Sequence, residues 1–383
     1  MISFPIFLDN NATTKLDPLV LAAMMPYLTD NYGNAASVQH SYGWVADEAV
    51  KIARQEIATT INALPQEIVF TSGATESDNL ALKGVWEAYK SKGNHIITVS
   101  TEHKAVLDSC AYIQAHGGEV TYLNVDENGQ IDLDDLQKNI KSTTILIAVM
   151  FANNETGALQ PIEKIGEIAR ANNVLFFCDA TQAIGKTKID VQNLNIDLMA
   201  MSGHKIHGPK GIGALYLRRR SPRVTILEQM NGGDHENGRR SGTLNVPGIV
   251  GMGKAFSLAM DNLDMEISRL ENLRDDIENF IVQNIPNCHV NGKKNRLPHV
   301  TNISFFEPNS NQLLAAFRSK LAVSAGSACT SAKNEPSYVL EAMGLGVEAA
   351  NSAIRISLSR FTSKEEIDFA KAFIVETVKG LQL

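Results

Sequence analysis

Short apolar runs alternate with amphipathic stretches between residues 67 and 178, and this alternation limits the possible folds more than any other feature. Strands are predicted at 67–70, 95–99, 119–123, 144–150 and 174–178, and helices at 80–91, 105–116, 133–140 and 162–171. Continuous apolar strands separated by helices are typical of a mostly parallel sheet with helices on both faces. The sequence therefore predicts an α/β fold whose ligands bind at the carboxyl ends of the strands.

The loops that follow the predicted strands hold the polar side chains of interest. These loops are Thr71 to Thr75, Thr101 to Lys104, Asn153 to Thr156, Asp179 to Gln182 and Ser202 to Lys205. Because loops at the same edge of a parallel sheet meet, their agreement indicates one site more strongly than any single motif.

Lys205 stands out within the glycine-rich turn Met201-Ser-Gly-His-Lys-Ile-His-Gly-Pro-Lys-Gly-Ile-Gly213. Most lysines are solvated surface cations, and Lys210 fits that description. Lys205 instead lies beside Ser202 and His204, which can bind an anion. A desolvated lysine becomes a usable amine nucleophile. An amine next to phosphate donors is what a Schiff base with pyridoxal phosphate requires.

Two further residues have both a structural and a functional interpretation. Asp179 follows an apolar strand directly and can be a helix N-cap, or a carboxylate that keeps a pyridine nitrogen protonated. His103 can be a capping histidine, or an imidazole that stacks on a cofactor ring and moves protons. We favour the functional interpretation for Asp179 and leave His103 open on its own evidence.

Cys329 differs from the other three cysteines by its surroundings. Cys110, Cys178 and Cys288 fit buried packing residues. Cys329 lies among small polar residues, in Ser324-Ala-Gly-Ser-Ala-Cys-Thr-Ser331, where a thiolate could act as a nucleophile. Arg355, in a predicted strand, would suit a substrate carboxylate, and its alternative is a surface ion pair.

Composition excludes several other classes of protein. With 383 residues, 44% of them hydrophobic, the chain can bury a large core and divide into two domains. A net charge of -7 argues against nucleic acid and anionic membranes as partners. The sequence has neither a membrane-spanning apolar run nor a secretory signal, and no cysteine pair with metal-ligand spacing, so we expect a reduced, cytoplasmic enzyme without a metal.

The rest of the chain is less specific. The basic cluster Arg218 to Arg220 is predicted to be a solvated turn, and the glycine-rich segment 231–243 a functional or interfacial loop. A long helical stretch over 250–284 is predicted to carry a domain boundary near Leu258.

Eight motifs together resemble the NifS/IscS-type cysteine desulfurases. They are Leu8-Asp-Asn-Asn-Ala-Thr-Thr14, Thr71-Ser-Gly-Ala-Thr-Glu-Ser77, Thr101-Glu-His103, Asn153-Asn-Glu155, Asp179-Ala-Thr-Gln182, Ser202-Gly-His-Lys205, Arg240-Ser-Gly-Thr243 and Ser327-Ala-Cys-Thr330. The resemblance runs in register from about Phe7 to about Asp368. It implies a fold-type I pyridoxal phosphate enzyme of the class-V aminotransferase family, a homodimer with each active site at the subunit interface.

The resemblance also implies a domain division. Residues 14–257 would form the large cofactor-binding domain, with a mostly parallel seven-stranded sheet. Residues 1–13 and 258–383 would form a smaller α/β domain that carries the catalytic cysteine loop, at about 324–335.

Site roles follow from the same resemblance. Lys205 would bind pyridoxal 5'-phosphate covalently. Asp179 would pair with its pyridine nitrogen, Gln182 with its phenolic oxygen, and His103 would stack over its ring. Cys329 would be the nucleophile that receives sulfur as a persulfide. The remaining implied contacts are to the phosphate, from Ala74, Thr75, Ser202, His204 and the partner subunit's Thr243, and to the substrate carboxylate, from Asn154 and Arg355.

The implied reaction converts L-cysteine to L-alanine and leaves a persulfide for a sulfur-acceptor protein, either an iron–sulfur scaffold or a thiolation protein.

The motifs depart from the family at Ala35, where proline is common, and at Asp234, where a glycine is common. Members that dock an iron–sulfur scaffold carry a further tail beyond the position of Leu383, so the pathway stays open. The alternatives are a selenocysteine lyase or a non-catalytic binding partner on the same fold; an aminotransferase leaves the cysteine loop unexplained.

Overall fold

The computed structural model describes residues 2–326 and 336–382. Its strands are β1 (Ile6–Phe7), β2 (Ile68–Thr71), β3 (His95–Val99), β4 (Glu119–Leu123), β5 (Thr144–Ala148), β6 (Leu175–Asp179), β7 (Leu198–Ser202), β8 (Gly213–Leu217), β9 (His289–Val290), β10 (Val300–Ser304), β11 (Leu321–Ala322) and β12 (Ala353–Ser357). Its helices are α1 (Pro18–Leu28), α2 (Ser41–Thr60), α3 (Ala74–Tyr89), α4 (Lys104–Ala115), α5 (Leu133–Asn139), α6 (Ile162–Ala171), α7 (His235–Gly238), α8 (Val246–Met260), α9 (Leu263–Asn284), α10 (Ser310–Phe317), α11 (Tyr338–Ala342), α12 (Gly346–Ser352) and α13 (Lys364–Leu381).

A seven-stranded sheet in the order β2-β8-β7-β6-β5-β3-β4 organises the larger part of the molecule. Strand β8 runs antiparallel to both of its neighbours, and the other pairs are parallel. The prediction of an α/β fold with a mostly parallel sheet is therefore confirmed. The antiparallel strand returns the chain from the turn at Lys205, so this turn lies at the same edge as the loops after the parallel strands.

The sheet is buried on both faces, because side chains alternate between the faces along each strand and helices cover each face. In β3, Ile96 packs in a cluster with residues of α3 and α4. Its neighbour Ile97 packs on the opposite face with residues of α2, α6 and α8. Two helical layers thus exclude water from the sheet and leave its carboxyl edge as the accessible part.

Helix α3 begins six residues earlier than predicted, at Ala74 instead of residue 80. The polar residues 74–79 resemble a loop in composition, yet they form the first turns of the helix. Gly73 precedes the helix without a side-chain cap. The long helix predicted over 250–284 is also interrupted, because Asn262 adopts a left-handed backbone conformation (φ 58°) between α8 and α9.

The C-terminal part has its own strands and its own apolar cluster. Strands β12, β10 and β9 form an antiparallel sheet, and β1 pairs with β11 in parallel. Ile6 and Leu8 pack in one cluster with residues of α9, α10 and α13. The division into residues 14–257 on one side, and 1–13 with 258–383 on the other, stays a prediction.

Two segments whose polar composition predicts exposure contain buried charged residues. Arg218 was predicted to be solvated, but it is 5% exposed, and its guanidinium lies 3.0 Å from the Asp197 carboxylate. It directly continues β8, and its guanidinium also donates to the backbone carbonyls of Val191 (2.7 Å) and Ile196 (2.9 Å). In the glycine-rich segment 231–243, buried Glu236 accepts two hydrogen bonds from Arg54 (2.6 and 2.8 Å) and one from the amide of Phe70 (2.8 Å). Among the described residues, no helix is long and apolar enough to cross a bilayer.

Candidate active site

A cavity of about 480 Å³ lies at the carboxyl edge of the large sheet. The residues predicted from the sequence that line it are Ala74, Thr75, His103, Asn154, Asp179, Gln182, Ser202, His204, Lys205 and Arg355. Asn11, Ala12 and Thr13 line it as well, although sequence analysis gave them no role. Cys329 lies outside the described residues, and Thr243 is exposed elsewhere on the chain.

Lys205 ends a single 3-10 turn, Gly203–Lys205, directly after β7. Its Nζ donates to the backbone carbonyls of Asn11 (2.5 Å) and Ala12 (2.8 Å). These carbonyls belong to the N-terminal segment that crosses the cavity, so the amine is held inside it. The backbones of Gly213 and Gly73 lie too close together for a side chain between them. A Cβ on Gly213 would lie 2.6 Å from the Cα of Gly73.

One end of the cavity is suited to an anion. The first N–H groups of α3, including those of Ala74 and Thr75, have no intrahelical acceptor and lie at the positive end of the helix dipole. Ser202 is 3% exposed, and the Nδ1 of His204 lies 3.1 Å from the hydroxyl of Thr13. Burial, together with nearby lysines, lowers the pKa of His204 to about 4. The histidine is therefore neutral and can donate or accept a hydrogen bond.

Asp179 is the last residue of β6 and is 6% exposed. Its Oδ1 accepts a hydrogen bond from the amide of Thr181 (2.9 Å). The carboxylate thus makes the local bond expected of a capping residue and also lines the cavity. Its burial makes a cationic ligand group at this position favourable, because a buried carboxylate needs a partner of opposite charge.

His103 also combines both of its interpretations. It is the N-cap of α4, where its Nδ1 accepts a hydrogen bond from the amide of Ala105 (3.2 Å). This bond places the proton of the neutral ring on Nε2. Burial lowers the pKa of His103, so the ring is uncharged at neutral pH, and it lines the cavity with Nε2 as its donor.

Gln182 connects the cavity to a second lysine. Its Nε2 donates to the carbonyl of Asn11 (3.0 Å), the same carbonyl that accepts from Lys205. Its Oε1 lies 3.5 Å from the Nζ of Lys186. Burial and the charge of Lys205 lower the pKa of Lys186 to about 7. A second amine that is partly neutral at physiological pH therefore lies behind the first.

Arg355 is 1% exposed and lies in the middle of β12. Its guanidinium donates to the carbonyl of Asn154 (2.9 Å) and to the carboxylate of Asp9 (2.6 Å). Each of these two terminal nitrogens carries a second N–H. The Oδ1 of Asn154 is buried without a hydrogen-bond partner in the described part of the chain. Both side chains line the cavity and suit a carboxylate-bearing ligand with an amine.

The thiols that the structure describes are poor nucleophiles. Burial raises the pKa of Cys110 to about 12 and the pKa of Cys178 well above its usual range. Burial also raises the pKa of half-buried Cys288, whose Sγ lies 3.2 Å from the carbonyl of Ile285. The interpretation of these three cysteines as packing residues agrees with these environments. The fourth, Cys329, has no described position.

Comparisons with known proteins agree on one family. The sequence pattern of the class-V aminotransferases matches residues 6–369. The chain is 50% identical to "Cysteine desulfurase IscS" of Anaeromyxobacter dehalogenans (strain 2CP-C) over 382 residues, covering 100% of this chain and 94% of that protein.

Solved structures show the same fold. A structure described as a NifS-like protein superimposes with a TM-score of 0.91 at 35% identity, covering 99% of this chain and 100% of that chain. Another, described as SspA in complex with cysteine, superimposes with a TM-score of 0.81 at 36% identity, covering 93% and 99% of the two chains.

Proposed function

The chain belongs to the class-V aminotransferase family and is a cysteine desulfurase, and we propose that it works through Lys205 and Cys329 on bound pyridoxal 5'-phosphate. The observation that carries this proposal is the meeting of Lys205, Asp179 and His103 in one buried cavity. The reaction removes sulfur from L-cysteine, releases L-alanine and leaves a persulfide on Cys329.

The residues of the cavity fit pyridoxal phosphate group by group. The anion end formed by α3, Ser202 and His204 would hold the phosphate. Buried Asp179 would face the pyridine nitrogen, and the Nε2 of Gln182 would reach the phenolic oxygen. The family depends on this cofactor, which when bound withdraws electrons from the α-carbon of the substrate.

Each remaining part of the chemistry falls to a residue of this chain. Arg355 and the side-chain Nδ2 of Asn154 would bind the substrate carboxylate and orient the α-carbon. Lys205, whose amine is held in the cavity, would also act as the base that takes the α-proton. His103, neutral and protonated on Nε2, would cover the ring and donate a proton.

Cys329 would complete the sulfur transfer. Its thiolate attacks the sulfur of the substrate, the new S–S bond forms, and the C–S bond breaks. The electron pair of the C–S bond stays with the three-carbon fragment, which takes up a proton and leaves as alanine. The step needs no external oxidant, because substrate and enzyme thiol together contain all the atoms of alanine and the persulfide.

The experiment that tests the function measures alanine and sulfide released from L-cysteine in the presence of a reductant. We expect equal amounts of both. Release of selenide from L-selenocysteine alone would instead favour a selenocysteine lyase, and release from neither substrate would favour the non-catalytic binding partner.

Arg355→Lys is expected to raise the KM for L-cysteine by about tenfold or more, with a smaller effect on kcat. A lysine keeps the charge beside Asp9 but cannot form two parallel bonds to a carboxylate. Steady-state kinetics with Arg360→Lys as the matched control measures this, since Arg360 pairs with Asp17 outside the cavity. An unchanged KM in Arg355→Lys would remove Arg355 from substrate binding.

A homodimer is also part of the proposal. Large apolar side chains are exposed together on α1, α2 and the loop between them: Leu19, Leu28, Tyr32, Val38, Tyr42, Trp44 and Ile52. Such a patch is typical of a protein–protein interface. Thr243, exposed on this chain, would reach the phosphate of the partner's site.

Trp44→Asp is expected to shift the protein from dimer to monomer and to weaken cofactor binding. Sedimentation measures the first effect and equilibrium dialysis the second. Met265→Asp is the control, because Met265 is also exposed but lies on α9. A fully active monomeric wild type would contradict the shared site.

We further infer that the persulfide passes to an acceptor protein in the cytoplasm. A cysteine desulfurase requires such an acceptor, either an iron–sulfur scaffold or a thiolation protein. The net charge of -7 supports neither nucleic acid nor an anionic membrane as the partner.

A further inference from the structure

Asp78, on α3, has no place in the proposed chemistry and is completely buried (0% exposed). Neither oxygen of its carboxyl group has a hydrogen-bond partner among the described residues. An ionised carboxylate in such a position would have a large desolvation cost. The group must therefore be neutral, hydrated by internal water, or both.

The layer formed by α3, α4 and this face of the sheet contains further buried polar groups without a described partner. Thr98 on β3 and Ser109 on α4 have buried hydroxyls that lack a partner in the described structure. Thr98 shares its face of β3 with Ile96, which packs in the apolar cluster of α3 and α4. Several unpartnered polar groups between one pair of helices and the sheet indicate bound internal water.

Asp179 belongs to the same layer. In β6, Leu175 and Phe177 pack in the cluster of α3 and α4, so the alternation of the strand places the side chain of Asp179 on that face. Glu102, 1% exposed, precedes α4, and its Oε1 accepts from the amide of Met150 (2.5 Å). Three carboxyl groups thus lie around the end of α3.

The elements packed against α3 carry several titratable groups: Lys104, Asp108, Cys110 and Tyr112 on α4, Cys178 and Asp179 on β6, and Tyr216 on β8. Burial, and then the charges of Asp179 and Glu102, raise the pKa of Asp78 well above its usual range. Burial likewise raises the pKa of Glu102, and burial raises the pKa of Cys110 to about 12. Asp179 differs from the other two carboxyls because it lines the cavity beside Lys205 and His103.

We propose that Asp78 is a protonated, neutral carboxyl which, through internal water, donates a hydrogen bond toward Asp179 and so holds the Asp179 carboxyl in position at the cavity. Asp78 is a positioning residue, since it acts on the cofactor only through Asp179. The proposal rests on the proposed function, in which Asp179 faces the pyridine nitrogen.

Infrared absorption of the cofactor-free protein tests the protonation directly. We expect a band of protonated carboxyl at about pH 8 that loses intensity in Asp78→Asn. Asp134→Asn, at an exposed residue of α5, is the matched control and should leave the band unchanged. An unchanged band in Asp78→Asn would mean that Asp78 is ionised and would overturn the proposal.

The pH dependence of unfolding gives a second test on the same proteins. A carboxyl whose pKa is higher in the folded than in the unfolded state loses stabilising effect as pH rises between the two values. Asparagine does not titrate. The unfolding equilibrium constant of the wild type relative to Asp78→Asn should therefore rise by up to tenfold per pH unit in this range. A constant ratio would contradict a neutral Asp78.

The role toward Asp179 is tested with the cofactor. Asp78→Asn keeps a neutral donor and should bind pyridoxal phosphate about as tightly as the wild type, whereas Asp78→Ala should bind it about tenfold more weakly. The pH titration of the visible band of the bound cofactor should shift in the alanine variant alone. Equal behaviour of both variants would overturn the positioning role.

A second variant covers the case in which Asp78→Asn does not fold. Asp78→Ala removes the same carboxyl, so it should lose the same protonated band. The infrared and unfolding measurements use cofactor-free protein. They therefore fail or succeed independently of whether L-cysteine is desulfurated.

Discussion

Lys205→Ala is expected to abolish covalent attachment of pyridoxal phosphate and to lower the rate of cysteine desulfuration by roughly 10³-fold or more. The amine of Lys205 lies in the cavity. Among the described residues that line the cavity, Lys210 carries the only other primary amine. Without it, the cofactor would be held through its phosphate and ring alone. Borohydride reduction followed by mass spectrometry measures the covalent link, and alanine release measures the rate.

Lys186 is an alternative amine for attachment of the cofactor. Its amine, with a pKa lowered to about 7 by burial and by Lys205, is the chemically competent substitute behind Gln182. We expect Lys186→Met to keep the covalent link and Lys205→Ala to lose it. Lys188→Ala is the control, since Lys188 is exposed and pairs with Asp264 at 2.8 Å. If borohydride still fixes the cofactor to Lys205→Ala, the assignment moves to Lys186 or Lys210, whichever peptide carries the added mass.

Cys329→Ser is expected to reduce sulfide formation from L-cysteine to the background rate while leaving cofactor binding intact. A serine hydroxyl is not appreciably ionised at neutral pH and cannot form the S–S bond that breaks the C–S bond. L-cysteine should still bind and change the visible spectrum of the cofactor. Steady-state sulfide release beside spectral titration measures both effects.

Cys288→Ser is the matched control for this variant. Cys288 is half-buried and lies in the C-terminal part of the chain, yet burial raises the pKa of its thiol. We expect the Cys288 variant to desulfurate normally. Normal desulfuration by Cys329→Ser would instead place the nucleophile elsewhere or make the reaction a thiol-independent lyase.

The sequence predicted the sheet and most of the cavity because both depend on local patterns. Apolar strands and the polar residues that follow them are contiguous in the chain, so Asp179 and His103 could be placed at one edge of the sheet. Lys205 was recognised by its neighbours in a single turn. The first helical turns after Gly73 were mistaken for a loop because their polar residues also occur in turns.

The features that sequence analysis missed depend on contacts between distant residues. The N-terminal segment closes the cavity through Asn11, whose carbonyl accepts from both Lys205 and Gln182. Periodicity does not report such pairing. The basic cluster predicts a solvated Arg218 because its partner Asp197 is not adjacent in the chain. Asp78 falls in the segment predicted to be a loop, and composition does not report its complete burial on α3.

The central claim is that sulfur moves from L-cysteine to Cys329 while alanine leaves. The most direct test mixes the wild type with about one equivalent of L-cysteine, without reductant, and analyses the protein by mass spectrometry of its peptides. We predict one added sulfur atom on the peptide that contains Cys329 for each alanine released. Alanine release with unmodified Cys329, or sulfur added to Cys288 instead, would contradict the account.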